Sequence, residues 1–358
     1  MQPALSDETV YLILEYVRGK EALWNLLLSS PRLCELVKPF FYAHAAFHPT
    51  LANLKCFLRA IEPQPNGRRM ALFVRSLIFY DNDDPLEDDQ SQLVDKILIK
   101  TINLTSLSLT LSSPRPPLQF LQDATFSLTE LSIGVPSMDD PLVHFLEAQS
   151  QLKILRLYCP SLSKSTASNF RPSSFQNLQI LTTTYSVLHQ FFELPACVTR
   201  LTVDLPYYVR PVGRNSFLNN IRVFCCHSYF NPAVLFKGIS FFPNLEWLEI
   251  RSMTNIPEVL RTLCTFSTHL HELRGVRFAY QEGTPFLFRE ANKCFDAIAS
   301  LEFVEFSGDL GCCHRWLRGS VAPTEVRWES SGGTEWLSDW EKGVVEVDSD
   351  EILPDWLL

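Results

Sequence analysis

Leu104-Thr105-Ser106-Leu107-Ser108-Leu109, Leu128-Thr129-Glu130-Leu131-Ser132-Ile133 and Leu152-Lys153-Ile154-Leu155-Arg156-Leu157 share one spacing, apolar-x-x-apolar-x-apolar. The offsets between them are 24 and 24 residues, and the next, to Leu178/Leu181/Thr183, is 26. The last two positions of the spacing lie two apart, so in an extended chain they project from one face. A strand this short cannot bury that stripe alone. A fixed period therefore predicts stacked units, each covering its stripe with its neighbours.

Outward from these copies the spacing continues. It returns at Val198/Leu201/Val203, Leu218/Ile221/Val223, Leu245/Leu248/Ile250 and Leu301/Val304/Phe306. Val74/Leu77/Phe79 reads as the opening copy, Leu270/Leu273 starts one that turns irregular at Gly275, and Val326/Trp328 ends the series. Successive parallel strands need a return segment, and a helix is the compact one. Helical returns are predicted at Leu93–Ile99, Leu142–Ala148, Val187–Leu194, Pro257–Phe266 and Phe286–Ala299. Period and pattern are those of leucine-rich repeats. The expected architecture is thus an α/β leucine-rich-repeat solenoid of short parallel strands with helical returns. The family's Asn or Cys after the strand is mostly replaced, by Pro136, Pro160 and Pro206, and Cys226 alone fits that slot.

If the spaced apolar residues face inward, those between them line the other face of the sheet. The expected central column is Ser108, Ser132, Arg156, Thr182, Thr202, Arg222, Glu249, Arg274, Glu305 and Arg327, its last five members alternating in sign. Tyr158, Arg200, Asp204, Phe224, Trp247, Arg251, Glu272 and Phe303 are expected to flank it. Two readings stand side by side: a ladder of ion pairs that steadies the sheet, or a recognition surface. Exposed aromatics beside arginine are typical of binding hot spots, which makes Arg156, Tyr158, Arg222, Phe224, Trp247, Glu249, Arg251 and Arg274 the candidate substrate-binding residues.

The N-terminus is different. Ser6 is a helix cap, and Asp7 and Glu8 suit the positive helix end. Val10, Ile13, Leu14 and Val17 follow at helical spacing as one stripe, and Gly19 is a stop. Further apolar runs span Ala22–Leu28 and Leu33–Val37, with Pro31 breaking the third helix and Pro39 ending it. Three short helices form a unit too small to bury its apolar faces well. This stretch resembles an F-box, with Leu5, Glu8, Ile13, Leu14, Val17, Asn25, Leu26 and Arg32 in the family's positions. Ser6, Ser30 and Leu33 stand where proline, cysteine and tryptophan are usual, and Pro39-Phe40-Phe41-Tyr42 is similar to the tail of fungal members. The resemblance implies docking onto the Skp-type adaptor of a cullin–RING ubiquitin ligase. The implied adaptor contacts are Leu5, Glu8, Val10, Ile13, Leu14, Val17, Leu23 and Leu26. An N-terminal cap of a repeat protein, without any link to ubiquitin, is the competing reading.

The expected organisation is an F-box-like helical module over 1–47, a connecting segment over 48–70 with Pro63 and Pro65 at a bend, repeats over 71–331, and an acidic, Trp-containing tail over 332–358. Acidic residues cluster at Asp81–Asp89 and Glu346–Asp355, and Trp336, Trp340 and Trp356 are expected to cover the last repeat. The chain of 358 residues carries a formal charge of −9, which argues against general nucleic-acid binding. No apolar run is long enough for a membrane span. Ten cysteines without the spacing of a secreted scaffold suggest buried thiols in a reducing compartment, cytoplasmic or nuclear. Neighbouring cysteines in Cys225-Cys226-His227 and Cys312-Cys313-His314 point to opposite faces of a strand, so no metal site is expected. There is no phosphate-binding glycine loop and no nucleophile elbow. The expected protein is not an enzyme and needs no cofactor; it recruits an unidentified protein substrate.

Overall fold

The computed structural model describes residues 5–17, 19–63, 70–80, 86–110, 121, 124–159, 161–162, 175–188, 197–205, 216–228, 242–251, 256–279, 287–307, 312–320 and 324–327. The acidic residues Asp81, Asp83 and Asp84, the bend at Pro65, Trp328, and the whole C-terminal tail with its three tryptophans lie outside them. The chain is a mixed α/β protein built on open, mostly parallel sheet, and it divides after Leu152 into two compact units.

The first unit opens with helices α1 (Asp7–Leu14), α2 (Lys20–Ser29) and α3 (Pro31–Ala43). The Ser6 hydroxyl accepts from the Thr9 amide and caps α1, as its type requires. Ser30 caps α3 by accepting from the Leu33 amide at 3.2 Å, with Pro31 in the first turn. Pro31 therefore starts the third helix rather than breaking it, because the first-turn N–H it lacks has no partner within a helix anyway. Pro39 lies inside α3 and does not end it. Leu14, Leu23, Leu36 and Val37 form the core of this helical unit, and Val10, Val17, Leu26, Leu27, Phe40 and Phe41 pack against it.

The chain then enters the sheet earlier than the sequence suggests. Strand β1 (His44–Phe47) pairs in parallel with β2 (Ser76–Phe79), so the series opens on Ala45 and Phe47, opposite Leu77 and Phe79. Helix α4 (Leu51–Ile61) is the return between them and is capped by Thr50. Helix α5 (Asp88–Lys100) leads to β3 (Ser106–Thr110), and β4 (Glu130–Gly134) follows in register, with Leu107 opposite Leu131 and Leu109 opposite Ile133. Asp88 and Asp89, at the end of the acidic stretch, form the first turn of α5, where negative charge is favoured. A two-residue strand β5 (Ser137–Met138) and α6 (Asp140–Ala148), capped by Asp139, complete the unit.

The second unit contains β6 (Ile154–Tyr158), the short β7 (Ser161–Leu162), β8 (Ile180–Thr184), the single turn α7 (Tyr185–Leu188), β9 (Arg200–Leu205), β10 (Val223–Ser228) and β11 (Trp247–Arg251). Then come α8 (Ile256–Thr265), β12 (Gly275–Ala279), α9 (Leu287–Ala297), β13 (Phe303–Ser307), β14 (Cys312–Leu317) and β15 (Thr324–Arg327). Strands β6, β8, β9, β10, β11, β12 and β13 are neighbours in that order, and every described pairing among them is parallel. The series does not end on a parallel copy at Val326. Strands β14 and β15 reverse it as an antiparallel meander.

A repeated turn sets the register of each strand. The amides of Leu104, Leu152, Leu178, Ile221, Leu245, Leu273 and Leu301 each donate to the carbonyl three residues back. The residue after the turn then begins the bridge to the preceding strand: the amides of Glu246 and Trp247 both donate to Arg222 O, and those of Arg274 and Gly275 both donate to Glu246 O. This corrects two copies. Phe224 lies opposite Leu201, and Cys226 opposite Val203, so that copy is Ile221/Phe224/Cys226, three residues later than expected. Val276 lies opposite Leu248, so Leu273/Val276/Phe278 replaces the copy that Gly275 made irregular. Leu218 and Leu270 belong to the turn. An apolar residue there extends the spacing by one more step of three, and a slip of three matches the same template.

Candidate functional site

Two surfaces were expected to bind. On the helical unit the structure separates the implied adaptor contacts. Leu14 and Leu23 are buried in the unit's own core, and Val10, Val17 and Leu26 pack on it. Leu5, Glu8 and Ile13 face solvent. The four-residue stripe is thus divided: Val10, Leu14 and Val17 turn inward, while Ile13 turns outward with half its surface exposed. Sequence reasoning missed the companions of Ile13. Leu12 is 60% exposed, Tyr16 83% and Leu28 68%, and Tyr11 is exposed as well. Large apolar side chains in water, on a unit that already has a core, make this unit a candidate for binding a partner. Their clue was a second apolar set in α1, out of phase with the first.

Arg32 anchors the start of this face. Its Nε and Nη2 donate to Asp7 Oδ1 at 2.9 and 2.6 Å, and Nη2 also donates to Leu5 O at 2.5 Å. The side chain ties the beginning of α3 to the beginning of α1. Glu8 is fully exposed, and the hydrogen bonds it receives from its own amide and from Ser6 hold its carboxyl below the ordinary range.

The outward face of the second unit differs from its expected column because of the slipped copies. The central row runs Arg156, Thr182, Thr202, Cys225, Glu249, Arg277, Glu305 and Arg315. Cys225 replaces Arg222, Arg277 replaces Arg274, and Arg315 of the antiparallel strand replaces Arg327. Arg327 pairs instead with Cys312 at the far end of β14. In unit 1, Ser108 and Ser132 are paired as expected.

Alternation of sign survives, in two parallel rows. In the central row, Glu249 Oε1 accepts from Nε of the flanking Arg251 at 2.6 Å. Arg315 donates to Glu305 Oε1 through Nε at 2.8 Å and also through Nη2, and Arg277 Nε lies 4.0 Å from Glu305 Oε2. Three residues earlier, Arg222 bonds Glu246, and Arg274 bonds Glu302 at 2.8 Å. The earlier row is open to solvent, so each of its pairs contributes at most about 1 kcal/mol. The central row is closed in: Glu249 is buried and Glu305 is fully covered. Burial by itself would raise the Glu249 carboxyl. The charges of Arg251, Arg277 and Arg200, with the hydrogen bond from Arg251, outweigh it and hold the group below its ordinary value.

Two of the three aromatic candidates, Trp247 and Phe224, are buried. Trp247 is 2% exposed and clusters with Val223 and Phe303, its ring centroid 5.1 Å from that of Phe303. Gly275 lies between them on β12. A Cβ there would stand 2.2 Å from Phe303 and 2.5 Å from Trp247, so only glycine lets the two rings meet. The Arg315 guanidinium covers the Phe303 ring, 5.0 Å from its centroid. Phe224 faces inward, stacked on Phe242 at 4.8 Å. The premise of exposed aromatics therefore fails for Trp247 and Phe224, whereas Tyr158 and Arg251 are exposed and Arg156 and Arg200 are partly so. Glu272 lies in the exposed turn before β12.

Cys226 is not in a turn slot. It is buried in the inward row, and its thiol approaches Glu249 O at 3.7 Å. Burial pushes the Cys225 thiol up to about 12 and raises Cys226 as well. Among the described residues no group of three or more His, Cys, Asp or Glu side chains is arranged to hold a metal ion. Among them also, no helix is long and apolar enough to cross a membrane.

No protein-family model matches this sequence, and a search of curated proteins finds no match to it.

Proposed function

We propose that the chain is a substrate receptor of a cullin–RING ubiquitin ligase. In this reading α1–α3 are an F-box that docks the Skp-type adaptor. The strand-and-return units are leucine-rich repeats that hold a protein substrate on their outward face. The role is binding, and it calls for no catalytic group and no cofactor. The cytosol or nucleus, where such ligases work, is the compartment it implies.

The observation that carries the proposal is the exposure of Leu5, Leu12, Ile13, Tyr16 and Leu28, on or beside helices whose core is already closed by Leu14, Leu23, Leu36 and Val37. The apolar residues left in water need a partner more than the fold needs them. Substrate contacts are assigned to the residues of the original set that reach solvent, Arg156, Tyr158, Arg222, Arg251 and Arg274, joined by Arg200. Trp247 and Phe224 instead build the sheet that presents them.

The test is co-purification of the full chain with a Skp-type adaptor, beside the double variant Ile13→Asp, Tyr16→Asp. The expected result is a complex with the natural sequence and at least a hundredfold weaker capture by the variant, both chains folded. No complex with either folded chain sinks the ligase reading and leaves a repeat scaffold with a helical cap.

A further inference from the structure

Helices α8 and α9 are the returns on either side of β12, and they pack against each other; Leu260, Leu263, Ala291 and Phe295 on them are buried. Within that contact the sulfurs of Cys264 and Cys294 are 3.5 Å apart. Cys294 is buried, its sulfur 3.6 Å from Leu260 O, and Cys264 is partly open to solvent. A disulfide needs the sulfurs at about 2.05 Å. The remaining gap is ~1.5 Å.

We propose that Cys264 and Cys294 are a reversible oxidation site, at which hydrogen peroxide converts the thiol pair to a disulfide that joins the two returns. Cys264, the accessible sulfur, attacks the peroxide O–O bond as its thiolate. It becomes a sulfenic acid, and the leaving oxygen departs as water after taking a proton. The Cys294 thiol then attacks the sulfenyl sulfur, the S–O bond breaks, and a second water leaves with the Cys294 proton. In sum, two thiols and one peroxide give one disulfide and two waters, the sulfurs losing two electrons and the peroxide gaining them. A dithiol reverses the step by exchange.

Two features single out this pair. Cys264 is reachable while its resolving partner is held against it, an arrangement suited to a redox-sensitive thiol. Cys225 and Cys226 are adjacent in sequence but face opposite sides of β10, and burial keeps both protonated. The bond would cross from one return to the next over β12. It would therefore tie together the strands that carry Glu249, Arg277 and Glu305, and stiffen the outward face without touching it. This inference does not depend on the ligase reading.

The full-length protein, reduced and then treated at pH 8 with hydrogen peroxide, is digested without reductant after alkylation and mapped by mass spectrometry. The expected product is a peptide pair linked through Cys264 and Cys294 that has lost two hydrogen atoms and is released by dithiothreitol. Cys294→Ser should stop at a sulfenic acid on Cys264, trapped by dimedone, and Cys264→Ser should leave Cys294 reduced. The proposal is overturned if Cys294 stays alkylatable in the treated natural protein. Oxidation of Cys264 straight to the sulfinic acid without linkage would overturn it equally.

Discussion

The helical unit α1–α3 and strands β10–β14 were both expected to bind something, and the structure treats their apolar residues in opposite ways. The helices keep Leu12, Ile13, Tyr16 and Leu28 in water and bury only enough to hold together. The strands bury Trp247, Phe303, Glu249 and Glu305 and offer chiefly the edges of arginines. Residue type is thus a poor guide to exposure. A tryptophan on the outward face closes over its glycine neighbour, while an isoleucine in a helical stripe is turned to solvent. What decides is whether the neighbouring element leaves room.

That contrast can be broken by substitution. Trp247→Ala should cost about 3–5 kcal/mol, as for a large buried aromatic removed from a core. Urea unfolding measures it, and a loss under 1 kcal/mol would return Trp247 to the list of exposed contacts. Gly275→Ala should destabilise by about 1–3 kcal/mol through overpacking against Phe303 and Trp247. A neutral result would mean that the two rings part freely.

The charged row makes a prediction in pH. The folded Glu249 carboxyl lies below its unfolded value of about 4.3, so its stabilising contribution is full above that pH. The contribution is lost as pH falls through the folded value. Glu249→Gln should therefore be less stable than the natural protein at pH 7, and the gap between them should narrow on acidification below about pH 4. A gap that stays constant from pH 7 to pH 3 would remove Glu249 from the acid limb.

The smallest expected change in stability is at the helical face. Ile13→Asp with Tyr16→Asp should shift the unfolding free energy by under about 0.5 kcal/mol per site, because both side chains are in water. Loss of folding in that variant would show that α1 buries them after all. The opposite control is Leu14→Ala, on the same helix but in the core.

Much of this was readable in the chain. The spacing of Leu104/Leu107/Leu109 and Leu128/Leu131/Ile133 places parallel strands in register, and β3 and β4 pair as it says. The predicted returns at Leu142–Ala148 and Pro257–Phe266 are α6 and α8 to within two residues at each end. The alternation of charge was also legible, though displaced. The template advances by three and then two, and several of the turns, at Leu218 and Leu270 among them, put an apolar residue three positions earlier still. A slip of three satisfied the pattern in full at Leu218 and as far as Leu273 at Leu270, and it moved Arg222 and Arg274 into the wrong row. Local spacing cannot choose between two matches that differ by one step of the template.

The sequence by itself determined the period, the inward stripe of most strands, the cap at Ser6, and a helical N-terminus unlike the rest. Each of these follows from the geometry of a single strand or helix turn, within reach of a few residues. Only the tertiary structure decided the register of β10 and β12, the burial of Trp247 over Gly275, the closing meander of β14 and β15, and which residues of α1 stay in water. Those depend on which backbone amide reaches which carbonyl in the neighbouring strand, and on whether an adjacent side chain is small enough to let another in. Both are contacts between residues tens of positions apart, which the linear pattern does not encode.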